Sequence, residues 1–218
     1  MNANANSINN IAPITKYTEK VTPVPAPAPV SNRITPSQCR SMNFRQCICG
    51  TCGCFSGDDN VLMFDDTTKK VRDIIPGDIV HCGAVVVTKV IIHSDDMHTN
   101  MVTLPNGGPT MTAYHPVFNR DELKWMHPIN IAPINEAASC RTVYNFVLAD
   151  WHQLIVNGYE CITLGHGNTT DPVLKHPYYG TEKVIEDLKR RPDYPTGTVI
   201  YLNPVVIRDD NGMVAQIL

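Results

Sequence analysis

Short apolar runs separated by turn signals make up most of the chain after residue 54. Alternating or continuous runs of this length are typical of β-strands. The turn sequences Pro76-Gly77-Asp78 and Pro105-Asn106-Gly107-Gly108 separate some of the runs. The pattern therefore predicts a compact all-β domain. Its expected strands are Val61–Phe64, Ile79–His81, Val85–Ile92, Met101–Leu104, Thr110–Ala113, Thr142–Leu148, Gln153–Val156 and Glu160–Leu164.

Only Thr181–Arg191 has a convincing helical pattern, with Val184, Ile185 and Leu188 on one face. Pro192 is expected to stop this helix, and Asp187 can pair with Arg191 one turn later. Three further strands are predicted after it, with Asn211-Gly212 as the hairpin turn between the last two. Their ranges are Val199–Leu202, Val205–Arg208 and Met213–Leu218. Together these elements predict a small α/β extension that covers an open sheet edge.

The chain before the β pattern divides by composition. Residues 1–38 are rich in Asn, Pro, Ala and Thr, with Val24–Pro29 at their centre, which predicts a disordered, polyproline-like tail. Residues 39–53 form a short Cys-rich segment. The predicted organisation is thus a tail, a Cys-rich segment, a β domain over residues 54–168 and an extension over residues 169–218.

Composition limits the classes of function. The 218 residues suit one globular domain with tails, and a net charge of −3 does not indicate nucleic-acid binding. The sequence contains neither a recognisable signal peptide nor a run that predicts a membrane span. Eight cysteines in such a chain indicate reduced thiols. We therefore expect a cytoplasmic monomer that binds neither nucleic acid nor membranes.

A cysteine that follows a glycine can attack the carbonyl of that glycine. Cys54 follows Gly53, so its sulfur can form a thioester with Gly53 and leave its own amine free. Gly53 would also permit a strained or cis-like backbone. Downstream, His115 can protonate the departing amine, and Thr112 can hold the same peptide bond. The residues predict a chain that cuts itself between Gly53 and Cys54.

These residues belong to a longer series of motifs in a fixed order. The series contains Gly53-Cys54-Phe55, Ile75–Val80, Thr112-x-x-His115-Pro116, Val143–Leu148, His152, Asn157-Gly158 and Leu164–Gly167. It resembles the Hint domain shared by hedgehog C-terminal domains and inteins. The part from Val143 onward is most similar to the Vint subgroup, which occurs beside von Willebrand A domains. The resemblance covers about residues 53–168, and more weakly the tail to Leu218.

The resemblance implies a β horseshoe with Cys54 and His115 at its centre. It implies that the N-terminal segment is the substrate and that no cofactor is needed. In hedgehog domains an Asp before the Thr-x-x-His motif activates a sterol, a role that falls on Asp95 or Asp96 here. His152 can act beside the catalytic residues or make a structural hydrogen bond.

Two departures from the family pattern matter. Inteins end in His-Asn, and the Asn cyclises to release the C-terminal partner, whereas this chain has His166-Gly167 with Asn168 one residue late. We therefore expect cleavage at Cys54 without full splicing, and a structural role for His166. Tyr144-Asn145 replaces a common Tyr-Asp, so the auxiliary role of that Asp is not expected here.

Alternatives remain open at the sequence level. Cys39, Cys47, Cys49 and Cys52 are dense enough for a zinc site, although their Cys-x-Cys steps are unusual. An inactive domain of this type that serves as an interaction module is a third reading. Cys82, Cys140 and Cys161 are expected to be small buried residues. The group that finally attacks the thioester can be water, a thiol, an amine or an alcohol.

Overall fold

The computed structural model describes residues 53–218 apart from residues 96–98 and 100. The predicted tail and nearly all of the Cys-rich segment lie outside this part. The described chain is mostly β, with one α-helix, α1 (Glu182–Lys189). Its strands are β1 (Asn60–Leu62), β2 (Thr68–Lys70), β3 (Val86–His93), β4 (Met101–Thr103), β5 (Thr110–Thr112), β6 (Val117–Asn119), β7 (Lys124–Met126), β8 (Thr142–Leu148), β9 (Gln153–Val156), β10 (Tyr159–Ile162), β11 (Thr198–Leu202), β12 (Val206–Arg208) and β13 (Val214–Ile217).

The strands form two larger sheets and two hairpins. Six strands pair in the order β2-β1-β9-β10-β6-β7, and three pair in the order β11-β3-β8. The hairpins are β4–β5 and β12–β13, and Gly212 at φ 79° sits in the tight turn of the second. The predicted all-β fold is confirmed, and so is the predicted Asn211-Gly212 hairpin turn.

The C-terminal extension contributes a strand to the second sheet. β11 pairs in parallel with β3, from Thr198 opposite Lys89 to Leu202 opposite His93. A parallel connection needs a crossover, and α1 lies in the chain that leads to β11. The extension therefore pairs with the edge of β3 that β8 leaves open.

Helix α1 forms because its local signals agree. Thr181 caps the N-terminus by accepting a hydrogen bond from the Lys183 N–H, and Val184 and Leu188 are buried. Asp187 pairs with Arg190 at 2.9 Å, so the predicted pairing with Arg191 is wrong. Arg191 instead bonds to the Ile200 carbonyl and lies 3.5 Å from Asp193, just beyond the helix.

Some short elements differ from the prediction. Ile79–His81 is not a strand, because it pairs only through isolated bridges of Ile79 to Val85 and Val80 to Met63. β2, β6 and β7 are strands that the sequence did not predict, because none of these three-residue segments lies in a longer apolar run. Among the described residues, no helix is long and apolar enough to cross a membrane.

The buried apolar residues form two clusters, and the chain after Gly53 enters both. Phe55 belongs to the cluster that includes Met111 and Phe146, whereas Cys54 belongs to the cluster that includes Leu188 and Val199. Successive side chains of an extended segment point to opposite faces. Cys54 and Phe55 are therefore anchored on two sides at once, which holds the backbone between them in place.

Candidate functional site

The segment that begins at Cys54 lies between two strands. Phe55 exchanges backbone hydrogen bonds of 2.8 and 3.0 Å with Tyr144 of β8. On the other side, the Thr112 N–H of β5 donates to the Cys54 carbonyl at 2.9 Å, and the Ser56 N–H donates to the Thr110 carbonyl at 2.8 Å. This pairing positions the Gly53–Cys54 peptide bond beside β5 and β8.

The side chain of Thr112 contacts that peptide bond directly. Its Oγ1 accepts a hydrogen bond from the Cys54 N–H at 2.9 Å, and the residue is fully buried. Thr112 is the last residue of β5, so its backbone and its side chain both bind Cys54. The structure thus brings Thr112 to the amide that the sequence predicted it would hold.

His115 lies against the same peptide bond. A tight turn, in which the His115 N–H bonds to the Thr112 carbonyl at 3.1 Å, returns the chain after β5. The imidazole packs on the Phe55 ring with 4.2 Å between centroids. A Cβ added to Gly53 would lie 3.3 Å from His115 Nδ1. A side chain at residue 53 would therefore crowd His115 Nδ1, which lies close to the backbone of Gly53.

Gly53 is joined to Cys54 by a trans peptide bond, since no peptide bond among the described residues is cis. Gly53 matters for the space that it leaves, because a side chain at this position would press on the His115 ring.

The tautomer of His115 follows from its surroundings. Its Nε2 lies 2.8 Å from the Ile162 carbonyl oxygen, which can only accept, so Nε2 carries the proton. Nδ1 is buried and has no hydrogen-bond partner in the described part of the chain. Burial lowers the pKa of His115 to about 4, although the Ile162 carbonyl and the Cys54 backbone favour the protonated form. His115 is thus a neutral imidazole at pH 7 whose free lone pair is on Nδ1.

Asn145 is a site residue that sequence reasoning missed. It lies on β8 with only 4 % of its surface exposed, and its Nδ2 donates to the Gly53 carbonyl oxygen. Its Oδ1 is held by the Phe146 N–H at 2.7 Å, which fixes the direction of the amide. Two signals were available: a polar side chain within the apolar run Val143–Leu148, and the place of Asn145 at the auxiliary Asp of the family pattern. The N–H and the carbonyl oxygen of the Gly53–Cys54 peptide group therefore each bond to a side chain, Thr112 and Asn145 respectively.

The other predicted site residues lie elsewhere. Asp95 is exposed, and its hydrogen bonds go to His93 and Asn203, so it contacts no residue of the group around Gly53. Asp96 lies outside the described residues. His152 has a positive φ of 46° and a buried Nδ1 without a partner among the described residues. Its carbonyl accepts from the Thr163 N–H, next to the Ile162 carbonyl that binds His115.

His166 is part of a tight loop. Its Nδ1 accepts the Asn168 N–H at 3.1 Å, and burial lowers its pKa to about 4. Gly165 and Gly167 on either side both have positive φ. These contacts agree with the structural role expected for His166.

A cavity of about 250 Å³ adjoins Gly53 and His115. His127, His166 and His176 also line it, and residues 172–176 together with Tyr179 and Met213 form much of its wall. The segment beyond residue 168 therefore contributes directly to the surroundings of the Gly53–Cys54 bond. The sequence predicted only that this segment covers an open sheet edge, and it predicted no role for His176.

The remaining cysteines differ in burial. Cys161 is fully buried, and burial raises its thiol pKa, as expected for a structural cysteine. Cys140 is half-buried and Cys82 is exposed, so the prediction of a buried Cys82 is wrong. Cys39, Cys47, Cys49 and Cys52, the candidate zinc ligands, lie outside the described residues. Within residues 53–95, 99 and 101–218, no group of His, Cys, Asp or Glu has the arrangement of a metal site.

The buried histidines predict loss of stability in acid. Burial lowers the pKa of His115, His166 and His176 to about 4, below their unfolded value, so the unfolded chain binds their protons first. The stability that these neutral histidines contribute to the folded chain is fully present above pH 6.5 and is lost as the pH falls toward 4. Fully buried His115 alone accounts for about 2 kcal/mol between pH 7 and 5.

Asp59 changes the free energy of unfolding with pH in the opposite direction to the histidines. Burial raises the pKa of its carboxyl to about 6, so its ionisation destabilises the folded chain as the pH rises. Three histidines outweigh one carboxyl, so we expect a lower urea midpoint at pH 5 than at pH 7 for a Cys54→Ala chain. Asp59→Asn removes the opposing group and should widen that difference. An equal or higher midpoint at pH 5 would contradict the assignment of neutral buried imidazoles.

The chain is similar to proteins of a known family and to solved structures. The Vint family model, described as a Hint-domain, matches residues 53–216. Among solved structures, the gp41-1 intein is 14% identical, with a TM-score of 0.40, over 52% of this chain and 100% of its own. A DnaB intein from Synechocystis sp. PCC 6803 is 11% identical, with a TM-score of 0.33, over 51% of this chain and 99% of its own. No curated protein matches the sequence.

Proposed function

Because the chain belongs to the Hint-domain family over residues 53–216, we propose that it cleaves its own Gly53–Cys54 peptide bond. The observation that carries the proposal is the pair of side-chain contacts on this bond. Thr112 accepts from its N–H, Asn145 donates to its carbonyl oxygen, and Gly53 packs closely beside His115 Nδ1. Groups aimed at both ends of one buried peptide are what acyl transfer requires.

The first step is an N-to-S acyl shift. Cys54 Sγ attacks the Gly53 carbonyl carbon, and the thiol proton passes to His115 Nδ1, whose lone pair is free. The tetrahedral intermediate then collapses: the C–N bond breaks, and the imidazolium returns the proton to the Cys54 nitrogen. The products are a thioester between Gly53 and Cys54 Sγ and a free Cys54 amine.

The surroundings of His115 suit this proton transfer. Burial lowers the pKa of His115, which makes the neutral imidazole a weak base toward the thiol but makes the imidazolium a strong acid toward the departing amine. The Ile162 carbonyl keeps Nε2 protonated and therefore keeps Nδ1 as the working atom. Thr112 keeps the departing nitrogen in place while the bond breaks.

Asn145 would stabilise the oxyanion of the tetrahedral intermediate. Its Nδ2 already donates to the Gly53 oxygen, and its Oδ1 is fixed by the Phe146 N–H. A donor that is held in place costs no reorganisation when charge develops on the oxygen. Loss of one such donor typically costs about 10²–10³ in rate.

Asn145→Ala should therefore slow thioester formation by about 10²–10³. Asn145→Asp should be at least as slow, because a carboxylate offers no donor to the oxygen and repels the developing charge. Initial rates of thiol-dependent cleavage measure both. Asn203→Ala, an exposed Asn that bonds to Asp95, is the matched control and should keep the parent rate. Parent-like cleavage by Asn145→Ala would remove Asn145 from the mechanism.

The contacts of Asn168 support cleavage without splicing. Its Oδ1 accepts from the Thr170 N–H and the Asp171 N–H, both at 3.1 Å, in a local turn. Beyond it, Leu174 and Tyr178 are buried, and β11 pairs with β3. A segment that belongs to the folded core is a poor leaving partner. We therefore propose that the chain releases only its N-terminal segment.

Intact mass spectrometry of the freshly expressed chain tests the proposed function. Incubation with dithiothreitol should yield fragments 1–53 and 54–218, and the larger fragment should begin with Cys54. The same spectra should contain no species that joins residues 1–53 to residues 169–218. A chain that stays intact with the thiol would overturn the proposal of cleavage. A joined species would overturn the absence of splicing.

A further inference from the structure

The cavity that adjoins Gly53 is lined by two kinds of residue. Gly53, His115 and Asn145 belong to the group around the Gly53–Cys54 bond. Pro172, Val173 and Leu174 are apolar residues from the segment beyond residue 168. Since the acyl group stays on Cys54 Sγ after the first step, the group that ends the reaction must arrive next to Gly53. The cavity is therefore the natural place for that group.

Buried polar atoms in the cavity lack protein partners. Thr163 is only 2 % exposed, and its Oγ1 has no hydrogen-bond partner among the described residues. The same holds for His115 Nδ1, His127 Nδ1 and His176 Nε2. Buried polar atoms of native proteins are paired with protein or with ordered water in the great majority of cases. Four such atoms on residues that line one cavity point to a small polar occupant.

The hydrogen-bonding character of three of these atoms can be assigned. His176 Nδ1 accepts from the Tyr178 N–H at 3.1 Å and the Tyr179 N–H at 3.0 Å, so its Nε2 carries the proton and is a donor. His115 Nδ1 is an acceptor, because its Nε2 donates to Ile162. The Thr163 hydroxyl can do either. Together they match a molecule that both donates and accepts, as water does.

The size of the cavity further limits which molecules can occupy it. A volume of about 250 Å³ lies below the roughly 300–1,000 Å³ of pockets for drug-sized ligands. It would hold on the order of eight water molecules at about 30 Å³ each. A large alcohol is poorly suited to this space.

We propose that this cavity holds the water molecule that hydrolyses the Gly53 thioester, so that the reaction ends with a free Gly53 carboxylate. The inference rests on the proposed function. The water oxygen bonds to the Gly53 carbonyl carbon, and its proton passes to His115 Nδ1. The carbon–sulfur bond then breaks, and the Cys54 thiolate takes the proton back from His115. Residues beyond 168 take part in the reaction by forming the wall that confines the water.

Isotope labelling tests which nucleophile ends the reaction. The full chain is incubated without thiol in water labelled with heavy oxygen, together with equal concentrations of glycerol and ethanolamine. We expect fragment 1–53 to carry one heavy oxygen atom in its new carboxylate. A fragment that carries glycerol or ethanolamine as its main product would overturn the proposal and identify an alcohol or an amine as the acceptor.

Variants of the cavity test its role. Thr163→Val keeps the shape but removes the unpartnered hydroxyl, and Val173→Phe fills part of the space. Both should slow hydrolysis several-fold and lower the ratio of hydrolysis to dithiothreitol cleavage, since the thiol does not need an ordered water. Thr198→Val on β11, which does not line the cavity, is the matched control and should leave the ratio unchanged. An unchanged ratio in both cavity variants would overturn the proposal.

Failure of thioester formation and failure of hydrolysis by water give different products. If dithiothreitol releases fragment 1–53 but labelled water does not, the thioester forms and only the water proposal is wrong. If neither releases the fragment, the proposed cleavage itself is wrong, and the water proposal is wrong with it. Far-ultraviolet circular dichroism of each variant separates a loss of reaction from a loss of fold.

Discussion

A chain carrying Cys54→Ala is expected to remain intact under conditions in which the parent releases fragment 1–53. Alanine has no nucleophile, so no thioester can form and no thiol can exchange into it. Cleavage should be lost completely within the limit of detection. Thr112, His115 and Asn145 can still contact the peptide bond, but no nucleophile attacks it. Intact mass spectrometry after long incubation with dithiothreitol measures it.

The control for this loss is a second buried cysteine. Cys161 is fully buried on β10, so Cys161→Ala removes a thiol of similar surroundings without touching Gly53. It should lose some stability, as cavity-forming changes do, yet cleave at close to the parent rate. A Cys54→Ala chain that still yields a fragment beginning at residue 54 would rule out the thioester mechanism.

His115→Ala should slow cleavage by about 10²–10⁴, the usual cost of losing a positioned proton-transfer group. The residue is fully buried next to Gly53, and no other imidazole in the described chain packs against Gly53 as closely. Thr112→Ala should have a smaller effect, because Thr112 holds the amide but transfers no proton. Initial rates of thiol-dependent cleavage, with thermal unfolding in parallel, give both values.

His127→Ala is the matched control for this loss. His127 lines the same cavity and its pKa is also lowered by burial, but its ring packs against Tyr114 and not against Gly53. It should therefore cleave within a few-fold of the parent. If the two histidine variants were slowed equally, the effect of His115→Ala would reflect general disruption of the cavity. A His115→Ala chain that cleaves at the parent rate would exclude its role in proton transfer.

Local sequence signals were sufficient to predict several structural features of this protein. The β class and most strands follow from alternating apolar runs, since each strand must present one face to the core. Thr181 and the apolar face of Val184 and Leu188 predicted α1 for similar local reasons. Gly53-Cys54 and the Thr112-x-x-His115 motif predicted the contacts with the peptide bond, because a fixed three-residue spacing limits where the two side chains can point.

Only the tertiary structure decided the rest, because the remaining contacts join residues far apart in the chain. Asn145 donates to Gly53 across 92 positions, and nothing in the local sequence of β8 indicates which backbone oxygen its amide will meet. The proton on His115 is placed by the carbonyl of Ile162, 47 positions away. The cavity needs residues from both halves of the chain, from Gly53 to Met213. A sequence pattern specifies which face of an element is buried, whereas the partner of each buried polar atom depends on how distant elements pack together.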